Sequence, residues 1–208
     1  MRFALLLSTV TLLGAQGTPP KTGPADYPVH AQMDSVTLAA EYLVHSLPTT
    51  KGTLVANDYL VVEAAFFGPL YSRLKMSPDN FALRINGKGD PLTPELPGMV
   101  AQSIKFPGVR PHLETTATLG GGDGGTVTVG PRPPQSRVPV NQPPTVTEVN
   151  QENAVEYRVL NASLPEGEHS LPGSGLLYFF YRGKTKNIHS VELFYNGPMG
   201  KASLKLLR

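Results

Sequence analysis

The chain has no cysteine and no tryptophan. Without cysteine there is no disulfide, no thiolate nucleophile, no Cys-based zinc site and no acylated lipoprotein cysteine. Net charge is nearly absent too: 18 Lys and Arg against 16 Asp and Glu leave a formal +2, so nucleic acid is not an implied partner. No stretch reaches the roughly 20 apolar residues that a membrane-spanning helix needs. What the chain has in quantity is glycine and proline, 21 of each in 208 residues. That composition argues against a helical bundle and for a turn-rich β protein carrying an irregular segment. The length suits one domain with room for an apolar core.

The most aromatic stretch is residues 175–207, GLLYFFYRGKTKNIHSVELFYNGPMGKASLKLL. It predicts a C-terminal meander of three strands joined by two tight connections. Residues 176–181 are apolar on both alternating faces, which requires a central strand or one capped by another element. In 188–195, Val191, Leu193 and Tyr195 share one face. In the last strand Ala202, Leu204 and Leu206 face inward, while Lys201, Ser203 and Lys205 face water and suit an edge.

Residues 1–16 have the form of a secretory signal: Met1-Arg2, an apolar run over 3–13, then Gly14-Ala15-Gln16. The rival is a short buried helix. Residues 17–28 read as a flexible lead-in, rich in Pro and Gly. Residues 36–45 predict a strand, with a helix as rival, and 58–67 a central strand that is apolar on both faces. Residues 47–52 read as a loop. Phe81, Leu83 and Ile85 alternate in another strand, followed by a turn over 86–91. Residues 92–98 form a proline-punctuated crossing, 100–106 a short strand or helical turn, and 112–118 a strand. Residues 120–150 are a Gly/Pro-rich linker, and 151–163 a short helix, although Val155, Tyr157 and Val159 also permit a strand. The expected fold is an immunoglobulin-like antiparallel β-sandwich. It is one domain split between 29–119 and 164–208, and the linker and one short helix interrupt it.

Catalytic patterns are weak. Gly120, Gly122 and Gly125 satisfy G-x-G-x-x-G, but no helix follows, so a hairpin tip fits better than a phosphate cradle. His30, His45, His112, His169 and His189 show no metal-ligand spacing. Ser174 lacks the strand-to-helix context of a nucleophile elbow. Glu166 and Glu168 are near-neighbours on one loop, which does not make a glycosidase pair. No catalytic, cofactor or metal residue is therefore expected. One surface is singled out: Tyr181, Arg182, Lys184 and Lys186 form a small basic tip suited to an anionic or acidic partner. The rival is a solvated turn that keeps a hairpin soluble.

Leu164-Pro165-Glu166-Gly167, then Gly175-Leu176-Leu177-Tyr178-Phe179, resembles a family of bacterial exported immunoglobulin-like domains often called telokin-like. Val191-Glu192-Leu193 and Gly200-Lys201-Ala202-Ser203-Leu204 match its later strands. Tyr59-Leu60-Val61-Val62 and residues 81–88 look like its early ones. The resemblance covers roughly 34–118 and 164–207, and its motifs are turns and core positions. It implies a sandwich, and it carries over no catalytic residue or cofactor. The expected function is a non-catalytic binding or structural module, secreted or periplasmic and monomeric, with an envelope protein or glycan as partner. The alternative is a secreted hydrolase of cell-wall sugar or ester.

Overall fold

A computed structural model describes residues 17–108 and 146–207, the side chains of 146–153 excepted. The span read as a secretory signal, the strand expected over 112–118, the glycine loop, His112 and all of the span read as linker before residue 146 lie outside the described residues.

The strands are β1 (Val29–Met33), β2 (Val36–Val44), β3 (Ser46–Thr49), β4 (Gly52–Val55), β5 (Tyr59–Phe67), β6 (Arg73–Met76), β7 (Phe81–Ile85), β8 (Lys88–Leu92), β9 (Gly167–Ser170), β10 (Gly173–Phe180), β11 (Val191–Gly197) and β12 (Gly200–Leu207). Helix α1 (Pro97–Lys105) follows β8, and α2 (Val146–Ala162) precedes β9. Two four-stranded antiparallel sheets run β1-β2-β5-β10 and β12-β11-β7-β8. They form the expected β-sandwich. Leu38, Leu60, Val62, Phe66, Leu177 and Phe179 of the first sheet share one core with Phe81, Leu83, Val191, Leu193, Tyr195 and Leu204 of the second. Side chains from both sides of the undescribed stretch thus build a single core.

The first sheet is buried on its outer face as well. Tyr59, Val61, Leu176 and Tyr178 pack there against Val100 and Ala101 of α1, Val159 and Ala162 of α2, and Leu47 of the β3–β4 hairpin. Helix α2 wins over the rival strand because Val155, Val159 and Ala162 recur at spacings of four and three, which lines up one stripe. Tyr157, which a strand would have placed with them, is 65% exposed. The helix starts at Val146, inside the span read as linker. Helix α1 settles the span read as a short strand or a helical turn as a full helix; Pro97 at its first position carries the φ a helix needs.

Other corrections concern connections. β10 does not join a meander with β11 and β12. It pairs β5 in the opposite sheet, and residues 181–190 cross between sheets. Its two apolar faces are explained by the sandwich core on one side and the helices on the other. The span 47–52 holds most of a small hairpin, and the turn expected over 86–91 narrows to Asn86 and Gly87, both at positive φ. β6 and β9, unforeseen, pair with each other. The lead-in is packed: Tyr27 is buried on Ala39 and Ala65 and meets the Phe67 ring edge-on at 6.0 Å. One aromatic ring suffices because the surface beneath it is made of alanines.

Candidate functional site

The site begins where β1 stops. Its last pair is Val29 with Ala40, and Pro28, just before it, has no N–H with which to extend the ladder. β2 runs on to Val44, so its residues 41–44 have no strand beside them on that side among the described residues. The register slips between Tyr42 and Val44. Val44 sits at φ 60, a left-handed conformation that a β-branched side chain rarely adopts. Facing this stretch is the end of β12, the edge strand of the second sheet, with Leu206 and Leu207. The crossover loop supplies Thr185 and Ile188. Together with Pro28, Ala40, Glu41, Tyr42 and Val44 they line an open cleft of about 390 Å³.

Its walls are mostly apolar. Val44 is 39% and Leu207 37% exposed, whereas Ile188 is buried. The Tyr42 hydroxyl is buried and has no hydrogen-bond partner among the described residues. Burial, with a smaller contribution from Tyr181, pushes its pKa up to about 12. Glu41 is neutralised by Lys21 at 2.5 Å.

The four residues singled out in the sequence fall on the crossover loop, in unequal roles. Tyr181 is half-buried against the main core, and its N–H donates to the Asp58 carbonyl at 2.8 Å. The Arg182 guanidinium is engaged already: Nε donates to Asp58 Oδ1 at 3.2 Å, and the group lies 5.3 Å from the Phe180 ring centre. Burial would raise the Asp58 carboxyl, but hydrogen bonds from Arg182 and Ser103 outweigh it and hold it below its ordinary value. Arg182 thus fastens the end of β10 to the start of β5. Lys184 and Lys186 flank Thr185, are exposed, and have no ion pair among the described residues.

Asn86 holds this loop in place, a role the sequence did not reveal. Its Nδ2 donates to the Asn187 carbonyl at 2.8 Å, and its Oδ1 accepts from the backbone N–H of His189 at 2.7 Å and Ser190 at 3.1 Å. One asparagine therefore serves the β7–β8 turn and the wall of the cleft.

A second polar cluster lies on the outer face of the first sheet. Glu63 is 7% exposed in the middle of β5. Thr18 Oγ1 donates to its Oε1 at 2.7 Å, and the Ser174 hydroxyl donates to the Thr18 carbonyl at 2.7 Å. Burial raises the Glu63 carboxyl; the Thr18 hydrogen bond and the Lys21 charge oppose this, and the Glu41 charge adds to it. Residues 17–27 close over the cluster. The signal for it was present as the lone charged residue of an otherwise apolar strand.

The remaining candidates stay apart. His45 Nδ1 meets the Tyr59 carbonyl at 2.7 Å, and His169 Nε2 the Glu166 carbonyl at 3.1 Å. His30 and His189 are exposed. Glu168 stands in β9 opposite Lys75. No known family, characterised protein or solved structure matches the chain, so the cleft is read from its own residues.

Proposed function

We propose that this chain is a non-catalytic, exported binding module of the bacterial envelope, a monomeric sandwich of the telokin-like kind, and that it holds its partner in the cleft between β2 and β12. The cleft carries this reading: an apolar trough open to solvent, with Tyr42 in its wall and, on the loop that forms one side, Lys184 and Lys186, which have no ion pair among the described residues. Such a mixture of apolar walls and a few polar groups is the usual composition of a binding site. The N-terminal pattern supports export, and the partner is an envelope protein or glycan.

Backbone amide spectra of the protein, titrated with a solubilised envelope fraction, test the binding reading. Shifts are expected at Val44, Thr185, Ile188 and Leu207, and should be lost in Val44→Lys. Shifts confined to other surfaces, or none, overturn it. Export is tested by intact mass from the native host: a mature chain beginning at Gln16 or Gly17 is expected, and a soluble product retaining residues 1–15 sinks the claim.

A further inference from the structure

We infer that the cleft is a strand-addition site, occupied by an extended acidic peptide segment of a partner protein that continues the first sheet where β1 ends. The inference rests on the reading of the cleft as the partner site. A strand edge without a neighbour presents a row of N–H and C=O groups, which is a template for another strand. Residues 41–44 of β2 are such an edge, and Pro28 keeps β1 from covering it. At ~3.3 Å per residue the open stretch is about 13 Å long, enough for a few residues of guest strand.

The two edges that meet at the cleft differ in protection. β12 carries Lys201 and Lys205 as exposed edge charges. The open end of β2 carries no lysine or proline, and its one charge, Glu41, is already paired with Lys21. Apolar side chains stand ready for alternate residues of a guest: Val44, Ile188, Leu206 and Leu207. The loop that lines one side through Thr185 and Ile188 also carries Lys184 and Lys186, exposed and without an ion pair among the described residues, which favours carboxylates on the guest. The left-handed Val44 fits the same picture, since strained backbone gathers at sites that hold ligands.

The test uses the full chain and fluorescent hexapeptides in which Glu alternates with Val, Leu, Ile or Phe. Three comparators are added: the same peptides N-methylated at alternate residues, their Lys-for-Glu counterparts, and polygalacturonate as an acidic glycan. Saturable binding with shifts at residues 41–44 is expected. N-methylation should weaken it about tenfold or more, the loss of one unreplaced hydrogen bond. K184E with K186E should weaken it and reverse the preference between Glu and Lys peptides. Equal binding of N-methylated and parent peptides, or a preference for polygalacturonate, overturns strand addition while leaving the cleft as a binding site. No peptide binding up to millimolar concentration overturns it too, and the envelope titration then judges the cleft separately. Concentration-dependent self-association that shifts the same residues overturns it in favour of a second copy of this chain.

Discussion

The two sheets share one core yet live in different surroundings. β5 is buried at every position but its last, and β10 at all but its first and last. β11 and β12 alternate, one face in the core and the other in water. The difference lies in the second cover, made of α1, α2, the β3–β4 hairpin and residues 17–27. It teaches that hydrophobic runs in this chain report how many faces of a strand are covered, and alternation reports an open face. The cover also explains why the buried carboxylate Glu63 lies in the first sheet. Covering an outer face traps whatever charge the strand carries there, and the chain must then supply a hydrogen bond to it.

If the outer face of the first sheet is a true core, truncation there should cost as much as in the sandwich interior. Leu176→Ala is expected to destabilise by about 3 kcal/mol, while Lys205→Ala on the open face of β12 stays within about 0.5 kcal/mol. Urea midpoints decide it, and equal losses at both positions would erase the contrast. Next in size is the loop that crosses between the sheets. Asn86→Ala removes the side-chain bonds to Asn187, His189 and Ser190 and places alanine at positive φ, for an expected loss of about 2 kcal/mol. Faster amide exchange at His189 and Ser190 should accompany it, and unchanged exchange would show that the loop is held by something else.

Relief of strain at the cleft should be smaller and of opposite sign. Val44→Gly removes a side chain from the left-handed region and is expected to stabilise by about 1 kcal/mol, a gain of a few degrees in Tm. A loss of stability would mean that Val44 packing outweighs its backbone strain. The smallest effect concerns pH. A carboxyl raised in the folded state contributes stability that is complete below its unfolded value, ordinarily 4.5, and is lost as pH rises through the folded value. The wild type should therefore lose ground to Glu63→Gln between acid and neutrality. Asp58 runs the other way: held below 3.8, its contribution is present above that value and disappears as pH falls through the folded one. A pH-independent gap between wild type and Glu63→Gln would place the carboxylate in water.

Strands were legible wherever side-chain period and burial coincide. Phe81 and Leu83 point inward as their alternation requires, and β5 is central as its two apolar faces demand. Partners were not legible, because one strand's period does not say which sheet it joins; β10 was therefore assigned to its sequence neighbours. Residues 17–28 misled because composition averages over a segment, whereas a few side chains, Tyr27, Thr18 and Lys21, anchor it. The basic tip was visible as charge, but half of it is already engaged: Arg182 on Asp58 at the surface and Tyr181 on the core. The cleft had no signal of its own. It arises where β1 ends short and β12 passes, a relation between residues 28, 44 and 206 that no local pattern contains.

The outer edge of β10 has no neighbouring strand among the described residues, and three separate pieces of chain close it. The N–H groups of Thr18, Glu95 and Leu164 donate to the carbonyls of Ser174, Tyr178 and Leu176 at 3.2, 2.7 and 2.9 Å. Those donors come from before β1, between β8 and α1, and just after α2. None can lock until a strand near the end of the chain is in place. During synthesis these three segments must wait for β10 before their bonds to it can form, whereas Tyr27 already finds Ala39 and Ala65 on β2 and β5. The amides of Thr18, Glu95 and Leu164, far apart in sequence, should accordingly gain protection from exchange together with β10.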